Sequence, residues 1–225
     1  MNITKNWFYK LQKLDSSKII IWDNLVVSFF DYLNTDIEIE IWENSRVEFY
    51  SVLKNKEDFN VKFIQNKENS NLKVRYLLLS KDNLRLKAKI YSGLEADFVK
   101  SDVKIISIVW NDWFVDLDWV IQINEWIKKV DANLIEDNLF LWNTGKVKWI
   151  PTLLVRSDDV RASHACKMER ISDEKLFYLR SRWVWKENAL SMMIEAKIKD
   201  LFSCISMLDN NFYEELIESI LRKIK

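Results

Sequence analysis

The chain has 225 residues, 48% of them hydrophobic, and carries 34 basic and 34 acidic side chains for a formal charge of zero. That length suffices for one domain, or one domain with an appendage, and the balanced charge without a long basic run argues against nucleic acid as a partner. No apolar run approaches the roughly 18 residues of a membrane span, and Met1–Leu14 lacks a signal-like apolar stretch, so a soluble cytoplasmic protein with no membrane partner is expected; two cysteines, Cys166 and Cys204, fit a reducing compartment.

Residues 1–35 stay unassigned, with a possible first helix and a strand at Lys18–Ile21. From Asp36 the signal is alternation of apolar and polar residues, cleanest in Ile37-Glu38-Ile39-Glu40-Ile41. It continues at Arg46–Tyr50, Val61–Ile64, Leu72–Leu78, Leu84–Ile90, Val103–Val109, Val120–Ile123 and Leu139–Leu141. Many short strands without intervening helices predict an all-β body over 36–171, and periodicity leaves a sandwich and a solenoid both open. After Ile171 the period turns helical: a short helix from Ser172 or Asp173 to Arg182, a second over Lys186–Ser203 and a third over Phe212–Ile224. These make a C-terminal helical region, 172–225, without which the β body is expected to stay folded. Pro151 marks a rigid point near the junction.

The chemistry-bearing motifs of common enzymes are missing. There is no Gly-rich phosphate loop, so no nucleotide is expected on this chain, and no Cys-x-x-Cys or His-Glu-x-x-His. With His164 as the only histidine and no Gly-x-Ser-x-Gly elbow, a catalytic triad has no support, and the chain is expected not to be an enzyme. Asp116 and Asp118 share a strand face and read as solvated carboxylates.

Tryptophan and glycine are inverted: 11 Trp against 2 Gly, where Gly alone ordinarily makes up about 7%. Trp113 and Trp119 follow Asn111-Asp112 and Asp118, where Asn-Gly or Asp-Gly would signal a turn, and Trp183 stands where a helix commonly ends on Gly. The expectation is that most of these tryptophans are glycines in the living protein, encoded by UGA in a bacterium that reads that codon as Gly; Trp and Gly together number 13, near the ordinary glycine share. Awkward tryptophans at turns should then be visible in the structure. The alternative is true surface tryptophans stacking on sugar rings, in a β-solenoid or sandwich carbohydrate-binding module.

Residues 156–195 contain Asp158-Asp159-Val160-Arg161-Ala162-Ser163-His164-Ala165 and then Leu176-Phe177-Tyr178-Leu179-Arg180-Ser181-Arg182-Trp183. This resembles the C-terminal signature of the SufB/SufD family, Asp-Asp-Val-x-Ala/Cys-Ser-His-Gly/Ala followed by Leu-Phe-Tyr-Leu-Arg-Ser-Arg-Gly, with Trp183 on the final Gly. Ile41-Trp42-Glu43-Asn44-Ser45 looks like a family Val-Gly-Glu-Asn-Ala/Ser turn. Leu179 after Tyr178, where SufB-like chains tend to carry a cysteine, makes the chain most similar to SufD-like members. At Ala165-Cys166-Lys167 it departs from the usual Gly/Ala-Ala-Thr.

The resemblance implies a right-handed parallel β-helix body with a C-terminal α-helical tail, acting as a scaffold subunit of iron–sulfur cluster assembly. It further implies pairing with a SufB-like paralogue, or with a second copy of itself, and docking of a SufC-like ABC ATPase on the C-terminal helices. A transient iron–sulfur cluster or iron would be held at the subunit interface, with His164 as a ligand. Cys166 is two residues on, so an extended segment turns both side chains to one face, as joint ligands or with Cys166 as a small buried residue. Leu176, Phe177, Tyr178 and Arg180, with Met193 and Ile194, are the residues expected to present the helices to the ATPase, and a core role for them is the competing reading.

Overall fold

The alternating runs form strands, and the strands stack in parallel. The computed structural model of the chain describes residues 1–12, 16–54, 59–79, 85–110, 113–141, 144–170, 174, 177, 178, 181, 182 and 184–224. One sheet takes β1 (Asn2–Ile3), β3 (Lys18–Ile21), β5 (Ile37–Ile41), β7 (Phe59–Gln65), β9 (Arg85–Leu94), β11 (Phe114–Ile123) and β13 (Lys146–Val155). The other takes β2 (Trp7–Leu11), β4 (Val26–Asp31), β6 (Arg46–Lys54), β8 (Asn71–Leu79), β10 (Lys100–Val109), β12 (Val130–Phe140) and β14 (Val160–Arg170). Neighbours in each sheet are successive odd or successive even strands, all parallel, so the chain winds from sheet to sheet as a β-solenoid.

Alternation decides which side chains go inside. In β5 the three isoleucines are buried and the two glutamates half-buried, so one face meets the opposite sheet while the other meets water. Ile39, Phe63, Val74, Val103, Leu117 and Leu134 belong to the resulting inner core. The even-numbered sheet is apolar on its outer face as well: Phe30, Tyr50, Leu77, Ile106, Ile108 and Leu139 pack against α1 (Lys186–Leu208) and α2 (Asn210–Ile224) through Ile194, Ile198, Leu201, Phe202, Phe212 and Ile217. The tail is thus one layer of the fold. The expectation that the β body stands folded without residues 172–225 gives way here, because deletion would bare this second core.

Left-handed residues mark one corner of the coils. Asn24, Asn44, Asn69, Phe98 and Lys129 have φ of 62, 55, 57, 58 and 55°. Each donates its backbone N–H to a carbonyl of the next coil, at Glu43, Glu68, Asp97, Lys128 and Asp159. Asparagine tolerates this region better than most residues, so three of the five corners need no glycine. Asn44 belongs to the Trp42-Glu43-Asn44 turn singled out in the sequence.

The unassigned residues 1–35 turn out to contain β1 to β4, including Lys18–Ile21 as expected, and the possible first helix is absent from the described residues there. Of the short helix at 172–182, the described Glu174, Phe177 and Tyr178 are helical. Pro151 lies inside β13, the last strand of its sheet, where a missing N–H is tolerated.

The tryptophans divide. Trp126 sits in the turn after β11 with φ 66° and is 89% exposed, the awkward placement expected of a residue standing where glycine belongs. Trp119 is instead in the middle of β11, fully buried with its indole N–H donated to Ser92 Oγ, and Trp113 is buried just before that strand without positive φ. The turn argument fails for Trp119 because β11 runs straight through Asp118-Trp119; Asn111 and Asp112 lie outside the described residues. Trp42, Trp113 and Trp149 each bury an indole N–H without a partner. Trp183 lies outside the described residues. Among the described residues the exposed Trp7, Trp126 and Trp185 fall on separate elements, β2, the turn after β11 and the entry to α1, whereas Trp22 lies against Trp42 of the next coil with ring centroids 4.8 Å apart.

Candidate functional site

His164 of the signature and Cys166 beside it lie at the C-terminal end of the solenoid. β14 is fully extended and, among the described residues, pairs with β12 alone, His164 standing beside Leu134 and Cys166 beside Glu136. Parallel partners share a face, and Leu134 is in the inner core, so His164 and Cys166 both turn toward the space between the sheets. With no further strand above them, both residues are exposed at its mouth. Across the mouth Trp149 of β13 meets the His164 ring edge-on, with centroids 6.3 Å apart at 74°.

Beneath Cys166 the interior is polar. Glu136 and Asn138 are fully buried at inward positions of β12, and neither carboxylate oxygen of Glu136 has a hydrogen-bond partner. Burial pushes the Glu136 carboxyl up to about 7, partly opposed by the neighbouring Asn138 amide. That amide lies 3.6 Å from Cys166 Sγ. Partial burial raises the Cys166 thiol, the Glu136 charge raises it further, and the Asn138 contact works against both. His164 and Cys166 therefore share a face as their spacing suggested. Glu136 and Asn138 went unnoticed in the sequence, although the inward run Val130, Ala132, Leu134, Glu136, Asn138 holds the signal: two polar residues in the apolar half of an alternating strand.

The mouth is tied to the tail from outside. Lys197 of α1 reaches Asp137 at 2.5 Å and Glu169 of β14 at 3.3 Å, with all three side chains mostly buried.

The helical docking candidates separate. Phe177 and Tyr178 are exposed, with the Arg182 guanidinium 4.8 Å from the Tyr178 ring. Met193 is half-buried and its neighbour Met192 exposed. Ile194 is corrected: it is buried against the outer face of the even-numbered sheet, because it shares its helix face with Ile198 and Leu201. Leu176 and Arg180 lie outside the described residues.

Among the described residues no three of His, Cys, Asp and Glu gather around one point, and no helix is long and apolar enough to cross a membrane.

Residues 119–197 match the family described as SUF system FeS cluster assembly, SufBD core domain. The chain is 29% identical over 136 residues to the iron–sulfur cluster assembly protein SufD of Escherichia coli (strain K12), covering 60% of this chain and 32% of that protein. It is 34% identical over 78 residues to a SufBD family protein of Mycobacterium leprae, covering 34% of this chain and 20% of the relative. A SufBD family protein of the alga Antithamnion is 30% identical over 71 residues, 24% of its length. The chain thus spans about a third or less of these relatives, and its likeness is to the SufB/SufD family, SufD included.

Proposed function

From residues 119–197, which match the SufBD core and include the whole mouth of the solenoid, we propose that this chain is a SufD-like scaffold subunit of iron–sulfur cluster assembly. Its role is architectural and ligand-donating, without an active site of its own. The observation that carries this is the coincidence of the family match with an open coil end that exposes His164 and Cys166 on one face.

A SufB-like paralogue, or a second copy of this chain, joins over that end. β13 and β14 are the last strands of their sheets, and Ile150, Leu154, Val155 and Met168 are exposed there, a surface that favours another strand layer over water. The cargo is a nascent iron–sulfur cluster or iron, and a neutral imidazole with a thiol two residues away is a donor set of fitting softness. A SufC-like ABC ATPase docks on the exposed part of the tail, where Phe177, Tyr178 and Met192 offer apolar contact.

His164→Ala in the complex co-expressed with the SufB-like and SufC-like partners tests the reading. Assembly should persist, since an exposed ring contributes little packing, while the iron and sulfide recovered per complex should fall sharply. Normal cluster content in a correctly assembled His164→Ala complex would remove His164 from the site.

A further inference from the structure

In the last coils two neighbouring inner columns change from apolar to polar. Read up the even-numbered sheet in register, one inner column runs Tyr76, Ile105, Glu136, Cys166, and the next runs Leu78, Ser107, Asn138, Met168. Glu136, Asn138 and Ser107 are all 0% exposed. Both Glu136 oxygens, Asn138 Oδ1 and Ser107 Oγ lack hydrogen-bond partners. A buried polar atom left unpaired ordinarily costs on the order of 1–3 kcal/mol, and native interiors keep few of them. Four such atoms on adjacent positions of two neighbouring strands call for an occupant. With Glu136 ionised, three of the four are acceptors only, and the occupant they then fit is a cation.

Cys166 sets which cation. It is the parallel-strand neighbour of Glu136, on the same face, and the Asn138 carboxamide touches its sulfur at 3.6 Å. Strand spacing brings a Cys166 thiolate, a Glu136 carboxylate and an Asn138 carbonyl oxygen within reach of one ion, after a turn of the carboxamide that exchanges its oxygen for its nitrogen. Sulfur beside oxygen selects a borderline divalent transition metal such as Fe²⁺, Co²⁺ or Zn²⁺ over Mg²⁺ or Ca²⁺. We infer that the solenoid holds a thiophilic divalent cation inside its last two coils, between Cys166, Glu136 and Asn138, without any partner subunit. This inner site deepens the proposed cluster-holding role of the mouth but does not include His164.

Co²⁺ titration of the reduced, isolated chain reads the site directly. Stoichiometric binding with a sulfur-to-cobalt charge-transfer band is expected. Cys166→Ser should abolish the band and Cys204→Ser should leave it. Glu136→Gln, nearly the same shape, should weaken binding by at least about tenfold while circular dichroism stays unchanged, and Asn138→Ala should weaken it as well. Absence of Co²⁺ binding would mean that the interior is merely hydrated, and the inference falls. Equal affinity for wild type and Glu136→Gln would reduce Cys166 to a surface thiol, and it falls again. His164→Ala should leave Co²⁺ affinity unchanged; if that variant loses Co²⁺ while Glu136→Gln keeps it, the metal is held at the mouth, and only the inner site is overturned.

Discussion

At the scale of single residues, Glu136 is the group whose burial has the clearest consequence. Its carboxyl is raised from 4.5 to about 7, so between these values the folded chain holds a proton that the unfolded chain has released. Its stabilising effect is complete below about pH 4.5 and is lost as pH rises through about 7, a difference of roughly 3 kcal/mol. In metal-free buffer, urea midpoints should therefore fall from pH 5 to pH 8, and Glu136→Gln should flatten that slope and be the more stable protein at pH 8. A wild-type slope retained in the variant would assign it to other groups. Trp126 supplies a second case. A bulky residue at φ 66° and 89% exposure gains nothing from packing, so Trp126→Gly should raise stability by about 1 kcal/mol in thermal unfolding. Trp119→Gly should do the reverse, costing about 3–5 kcal/mol or more in the chain as written, because a fully buried indole is removed. Peptide mass spectrometry of the natural protein across residues 124–128 reads the UGA proposal without either variant.

At the scale of elements, α1 behaves as part of the core. Ile194, Ile198, Leu201 and Phe202 are all buried under its sheet-facing side, so Phe202→Ala should cost about 3–5 kcal/mol in chemical denaturation. Replacing the exposed Met192 by Ala should leave stability within about 0.5 kcal/mol. That contrast makes exposed tail residues the right probes of ATPase docking. Phe177→Ala with Tyr178→Ala should reduce co-purification of a SufC-like protein without changing the unfolding midpoint, whereas undiminished recovery would move the docking surface elsewhere. Removing residues 172–225 would confound the question, since it strips the cover from Phe30, Tyr50, Leu77 and Ile106.

For the whole molecule, the open end governs assembly. Two parallel sheets that stop at β13 and β14 leave unpaired backbone and exposed apolar side chains, which either find a partner or aggregate. Leu154→Lys together with Val155→Lys should hold the chain monomeric in light scattering and prevent recovery of a SufB-like partner, with little change in thermal stability. A complex that survives both lysines would place the joint at another surface.

The sequence by itself determined the strands whose alternation is strict, Ile37–Ile41 above all, and both long tail helices, since period is a local property that needs no partner. It also determined the family likeness, because Ala162-Ser163-His164 and Phe177-Tyr178 are contiguous motifs. Strands β1, β2 and β4 escaped it, being short or apolar on both faces, and β14 had no strict alternation to mark it, so that only pairing with a neighbouring coil defines them. Whether alternating strands make a sandwich or a solenoid was settled by register, which joins each strand to the one after next. The same register stacked Cys166 on Glu136, 30 residues apart in sequence, and only the closed interior around them turned an ordinary glutamate into a buried, unpaired one. Spacing along a chain carries no information about such a pair; the parallel ladder creates it, and the low polarizability of the core gives it its chemistry.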